Sequence, residues 1–174
     1  MVLLLEGKPM RIGRKSRNLT EPERRLALSV FNKTLPPWKR IFISDGLGLG
    51  DAPWTDDPMY MFVINMGPQG YPDATAAHAL ITEGGNFGRI RDVFIHEMTH
   101  VWQYWHGDFV KSSAVWARFV EKITGDDAYK YTPGKAWDAY NAEEQASIVE
   151  DWFKQGMSTT DNLFPYIKDT IWKK

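Results

Sequence analysis

The sequence predicts an α+β fold, a mostly helical single domain with a small N-terminal sheet packed on one central helix. Three observations point there. A chain of 174 residues suits one buried core. Strand-like runs rich in β-branched and aromatic residues fall before residue 66, while the longest helical apolar stripes follow residue 88. The composition, 43% hydrophobic and 25% charged, is that of an ordinary globular chain and argues against disorder.

Composition also removes whole classes of function. A formal net charge of -1 leaves no basic surface for nucleic acid, which would need clustered Lys and Arg. There is no cysteine, so disulfides and thiolate catalysis are excluded and any metal must take His and carboxylate ligands. That absence does not fix the compartment. The opening "MVLLLEGKPM" is too short for a signal-peptide core and has no basic segment before it, and no later stretch is apolar enough to span a membrane. Activity outside the cell would need another carrier. The 8 Trp, 7 Tyr and 9 Phe read first as core anchors and second as the lining of a groove for a peptide or glycan.

Residues 1–19 read as an irregular or extended arm rich in Arg and Lys, and residues 20–174 as the domain proper. "TEPERRLALSVFNKT" begins like a helix: Thr20 caps, Pro22 suits the first turn, and Glu23 stands three residues after Thr20 as in a capping box. Leu26, Ala27, Val30 and Phe31 form its apolar stripe, and "LPPW" ends it. "RIFISDG" and "MYMFVINMG" read as short strands. The "LGLGDAPWTDDP" between them, dense in Gly, Pro and Asp, reads as a loop; its lone GxG lacks the GK[ST] that a phosphate cradle needs. A long connection with strand character around residues 79–82 leads to a helix from about Arg89 to Trp105. An amphipathic helix is expected over Ser113–Lys122 through Val115, Phe119 and Val120, then a loop pinned by aromatics. "AEEQASIVEDWFKQG" is a helix with Ala142, Ala146, Val149 and Phe153 on one face and Gly156 closing it; a short element ends the chain.

The central helix carries "HEMTH": His96, Glu97 and His100. Residues four apart share a helix face, so both imidazoles can address one ion, and zinc accepts neutral imidazole in tetrahedral geometry. In this pattern the carboxylate beside the first histidine serves as general base toward water on the metal. Phe94, Ile95, Met98, Val101 and Trp102 surround the motif. A purely structural helix gains little from two histidines and a glutamate in so apolar a segment, because buried polar groups cost free energy unless paired. A catalytic zinc wants a third protein ligand and an open fourth position. His106 has metzincin spacing, but Gln103 stands where that pattern needs the glycine that turns the chain, so His106 reads as a helix-end residue. The other source is the later helix, where Glu143 and Glu144 precede the small Ala146 and Ser147, which permit close packing; the alternative for both acids is a solvated first turn favoured by the helix dipole.

"FIHEMTHVWQ" with "YNAEEQASIVEDWF" resembles the zinc metallopeptidase-like domains attached to bacterial contractile injection systems, above all the C-terminal toxin domains of type VI secretion spike proteins of the valine–glycine-repeat class. The related domain of extracellular injection-system cargo is similar too. "RNLTEPERRLALSVF" and "RIFISDG" resemble the family's opening helix and strand, so the likeness touches most of the chain from Arg17 to Phe153. It implies a zincin-like fold with a gluzincin-type ligand set: Zn²⁺ on His96, His100 and a glutamate of the 140s, with Glu97 as catalytic base. Alignment on Asn141 and Ala146 selects Glu143, with Glu144 as the alternative. No residue matches a transition-state electrophile; Tyr129, Tyr131 and Tyr140 are the candidate oxyanion donors, each weighed against a role as a pin of the aromatic loop.

The reading that follows is a zinc hydrolase, a metallopeptidase acting as an antibacterial type VI effector domain. The resemblance implies delivery by the spike and action in the periplasm or envelope of a target bacterium. Its expected partners are a peptide or protein substrate there, the secretion apparatus and an immunity protein. A non-catalytic, zinc-stapled binding or structural module is the reading from another class, and a housekeeping cytosolic peptidase is a third. Specificity is expected from the loops over residues 46–54 and 128–137.

Overall fold

The protein is described here by a computed structural model covering residues 15–48, 51–57, 59–82, 87–107 and 129–174. The amphipathic helix expected over Ser113–Lys122 lies outside the described residues, as does most of the N-terminal arm. The fold is mixed α+β with a small sheet, as the sequence predicts.

Four strands form the main sheet in the order β1 (Ser16–Asn18), β2 (Ile41–Ser44), β4 (Phe62–Asn65), β3 (Trp54–Asp56). β2 and β4 run parallel with Ile41 opposite Phe62 and Ile43 opposite Ile64, and these four side chains are fully buried. Residues two apart along each strand thus turn one face of the sheet to the core. β3 corrects the loop expected between them. Trp54, Thr55 and Asp56 pair antiparallel with Asn65, Ile64 and Val63. Their strand signal is local and weak among Gly, Pro and Asp, and partners from β4 supply what intrinsic propensity does not. A two-stranded ribbon, β5 (Leu80–Ile81) with β6 (Gly88–Arg89), follows a single helical turn, α2 (Gly67–Gly70).

Helix α1 (Glu21–Phe31) starts as its capping box predicts, with the Glu23 carboxylate accepting from the Thr20 amide at 2.7 Å. Glu23 does more than cap. It is 1% exposed, accepts from both terminal nitrogens of Arg17 on β1 at 2.8 Å, and accepts from the Ala74 amide at 3.1 Å. One carboxylate thus ties the first strand, the first helix and the connection after α2. Burial raises its pKa, but the Arg17 and amide hydrogen bonds outweigh that and hold it below the usual range. Glu23→Gln should cost about 3 kcal/mol, the low end for a broken buried pair because Arg17 reaches solvent. Since the folded pKa is depressed, the contribution is complete above the unfolded value near 4.5 and is lost as pH falls through the folded one. Denaturant unfolding of both proteins at pH 7 and pH 3 should show the gap shrinking.

The long helix α3 (Ile90–Trp105) buries Phe94, Ile95, Met98, Val101 and Trp102 and touches β3 and β4 of the sheet. Its principal neighbour is α4 (Ala142–Lys154). Ala146 and Ser147 are buried on α4, the small residues that close packing of two helices requires. Gly156, at φ 85°, supplies the left-handed residue that ends α4. A final turn (Phe164–Tyr166) and a π-helical turn (Ile167–Ile171) bury Ile167 and Ile171 in the same core.

Candidate metal centre

His96 and His100 stand one turn apart on α3 with ring centroids 5.0 Å apart. The first turn of α4 brings Glu143 between them: one oxygen lies 3.0 Å from His96 Nε2 and the other 3.2 Å from His100 Nε2. All three residues are buried, and one ligand atom from each falls within 4.8 Å of the others. These separations suit a tetrahedral ion: bonds of about 2.0–2.1 Å place neighbouring ligand atoms roughly 3.3 Å apart. Two imidazoles and a carboxylate, with no thiolate in the chain, form a set that fits zinc, and among the described residues no fourth ligand joins them.

Glu144, the alternative ligand, has another task. Asn141 Oδ1 accepts from the amides of Glu143 and Glu144 at 2.9 Å, and the Glu144 carboxylate accepts from the Asn141 amide at 2.8 Å. This is a complete capping box. The cap aims the helix start, so Glu143 faces α3 while Glu144 bends back over the terminus. Asn141–x–x–Glu144 was legible as a cap in the sequence, and that signal separates the two acids.

Each histidine is held from behind. His96 Nδ1 lies 3.1 Å from Glu150, and His100 Nδ1 lies 2.7 Å from Gln103 Oε1. Sequence reasoning missed Glu150, although seven residues after Glu143 is two turns along the same face of α4. Gln103 was noticed only as a missing glycine. His106, at the end of α3, contacts the Thr34 carbonyl through Nε2 at 2.8 Å, the helix-end role its context predicts.

Glu97 is 5% exposed, and the Thr55 hydroxyl on β3 donates to its Oε2 at 2.8 Å while lying 3.1 Å from its main-chain carbonyl. The strand absent from the sequence reading is thus what orients the carboxylate. Burial raises the Glu97 pKa against the opposing charges of His100 and His96. Burial lowers the pKa of His96, but the hydrogen bonds and charges of Glu143 and Glu150 outweigh it and hold the imidazole well above its ordinary value; Glu143 does the same for His100. Burial would raise the Glu143 pKa, but both histidines hold it far below the carboxylate range.

A cavity of about 440 Å³ opens beside His96 and Glu97. Ala52, Pro53, Phe87 and Val93 give it apolar lining, and Tyr129, Glu150, Asp151 and Lys154 contribute polar groups. Tyr129 is the candidate tyrosine that lines it, its ring 5.9 Å from that of His96. The other two hydroxyls are engaged elsewhere: Tyr131 donates to Asp151 on α4 at 2.9 Å, and Tyr140 donates to the Thr132 carbonyl of the aromatic loop at 2.8 Å.

A known protein shares this fold. No protein-family model matches the chain. A segment of 62 residues, 35% of the chain, is 45% identical to the type VI secretion system spike protein VgrG2b of Pseudomonas aeruginosa, of which it covers 6%. The solved effector domain of P. aeruginosa VgrG2b superposes with a TM-score of 0.60 at 26% identity, over 98% of this chain and 89% of that one. The chain is homologous to the VgrG2b effector domain. The matched segment is a small fraction of the full VgrG2b spike, whose other parts have no counterpart in that match.

Proposed function

We propose that this chain is a zinc-dependent hydrolase, a metallopeptidase that serves as an antibacterial effector domain of a type VI secretion system. One observation carries the chemistry: two imidazole Nε2 atoms and the Glu143 carboxylate converge, buried, beside a second buried carboxylate, Glu97, at the wall of a cavity. Homology to the VgrG2b effector domain supports the setting.

A zinc ion on His96, His100 and Glu143 supplies a Lewis acid and lowers the pKa of a water molecule toward neutrality. The chain's own residues do the rest. Glu97, with Oε2 anchored by Thr55, takes the proton from the attacking water and passes it to the leaving amine; burial raises its pKa, which favours holding the proton between the two transfers. Burial and the nearby carboxylates keep the Tyr129 phenol protonated, so it is a standing donor for a developing oxyanion. β3 lies at the edge of the main sheet, paired with β4, and Ala52 and Pro53 beside it line the cavity. An extended chain bound along a strand edge pairs by main-chain hydrogen bonds, which favours a peptide substrate.

The proposed site of action is the periplasm or envelope of a target bacterium, on a protein or peptidoglycan peptide, with an immunity protein guarding the producer. No helix among the described residues is long and apolar enough to cross a membrane. Expression with an added export signal should arrest growth where the unexported form does not; toxicity confined to the cytosolic form would count against this target.

Metal binding should be proton-linked. Glu143 and Glu150 favour the protonated form of His96, and Glu143 that of His100, whereas zinc takes neutral imidazole, so protons compete with the metal and its affinity should fall as pH falls. Calorimetry in two buffers of different ionisation enthalpy should detect the released protons. The metal-free protein should show the reverse trend. Raised folded pKa values make the histidine contribution to stability complete below the unfolded value near 6.5 and lost as pH rises through the folded ones.

A further inference from the structure

We infer that Gln103 and Gln145 are positioning residues that lock His100 in the one tautomer able to give its Nε2 lone pair to a metal. The inference rests on the metal-site reading above. It starts from two main-chain carbonyls whose polarity is beyond doubt, because a carbonyl oxygen only accepts. The Gln145 terminal nitrogen lies 3.0 Å from the Trp137 carbonyl and 3.4 Å from the Tyr140 carbonyl. The atom facing those oxygens must be the amide nitrogen, so Gln145 turns its oxygen toward Gln103. Gln103 Nε2 donates to that oxygen at 2.9 Å and to the Ala142 carbonyl at 3.0 Å. The Ala142 carbonyl, which can only accept, supports the same assignment for Gln103.

With Gln103 nitrogen thus committed, its oxygen is the atom 2.7 Å from His100 Nδ1. An oxygen there accepts, so Nδ1 must carry the proton. With Nδ1 committed to its proton, Nε2, 3.2 Å from Glu143, is the nitrogen that gives up its proton and offers its lone pair when a metal binds. Gln103 and Gln145 are both buried, so water cannot substitute for either amide. The chain of bonds also spans the two halves of the site. It runs from α3 through Gln103 to the carbonyl of Ala142, the residue before Glu143, and through Gln145 to the Trp137–Tyr140 segment. A ligand from each helix is thereby set against the same pair of amides. This gives position 103 a reason to be glutamine, with the turn-forming glycine of the metzincin pattern having no place here.

The test is zinc affinity by chelator competition on the purified chain, with unfolding of the metal-free proteins followed in parallel. Gln103→Leu should weaken zinc binding about 10–100-fold, the usual cost of losing a partner behind a metal-bound histidine. Gln103→Glu keeps an acceptor for His100 Nδ1 but sets a carboxylate against the Ala142 carbonyl and the Gln145 oxygen. It should lower the melting temperature of the metal-free chain while leaving zinc affinity within a few-fold of wild type. A merely structural role predicts instead that affinity falls in step with stability in both variants, and that result would overturn the inference. Should Gln103→Leu not fold, Gln145→Leu serves in its place, since it removes one of the two acceptors that orient Gln103 and should weaken binding by a smaller factor; undiminished affinity there counts against the relay. His100→Ala separates the two levels of reading. If wild type binds stoichiometric zinc, His100→Ala loses it and Gln103→Leu binds as wild type, the relay fails and the metal centre stands. If wild type binds no zinc, both fail.

Discussion

Glu97→Gln is expected to leave a folded, zinc-loaded protein with hydrolysis and toxicity reduced by about 10²–10⁴-fold, the range for loss of a general base. The amide keeps the shape of the side chain and an oxygen for the Thr55 hydroxyl, which lies 2.8 Å from Oε2 in the native chain. It does not touch the His96–His100–Glu143 set, so metal content should match wild type. Stability should not fall. Burial disfavours the charged form of Glu97, and a neutral amide has no charge to bury. Zinc content, melting temperature and cleavage of a substrate, or growth arrest on export, measured on one preparation, check the prediction. Full activity in this variant would remove the hydrolase reading and leave the metal-stapled module, in which zinc contributes folding free energy and Glu97 is incidental. Loss of zinc together with activity would mean that Glu97 sits closer to the metal than its bond to Thr55 implies.

What was legible in the sequence was whatever local periodicity encodes. HEMTH could be placed on a buried helix because Phe94, Ile95, Met98, Val101 and Trp102 recur around it, and the structure buries all five. Thr20 and Glu23 announced α1 through the capping box, and Gly156 announced the end of α4. What was not legible is what only tertiary contact creates. Thr55 reads as one residue of an Asp- and Pro-rich loop until β4 pairs with it and turns its hydroxyl to Glu97. Glu150 reads as a surface acid until α3 packs against α4 and presents His96 Nδ1. Gln103 reads as a defect in another family's pattern until Gln145 and the Ala142 carbonyl orient it. Glu150 and Gln103 lie behind the candidate ligands and Thr55 behind Glu97, where partners come from other elements and no spacing rule reports them.

The two adjacent glutamates give the other large effect. Glu143→Ala should weaken zinc binding by more than the about 10–100-fold cost of an outer partner, because it removes a ligand itself. It should also withdraw the carboxylate that raises the pKa of both histidines, so those shifts should relax and the acid-side stability they provide should diminish. Glu144→Ala should leave zinc affinity unchanged. Its side chain is spent on the Asn141 amide, and losing that half of the capping box should cost about 0.5–2 kcal/mol, with a fall in melting temperature of a few degrees for a domain of this size. The pair differs by one position and about 100° of helix rotation, so a common disturbance of the α4 terminus would act on both variants alike. Opposite profiles, one losing metal with altered pH dependence and the other losing only stability, are what the geometry requires. A Glu144→Ala variant that loses zinc while Glu143→Ala retains it would reverse the assignment, and the cap seen at Asn141 would then have to open when the metal binds.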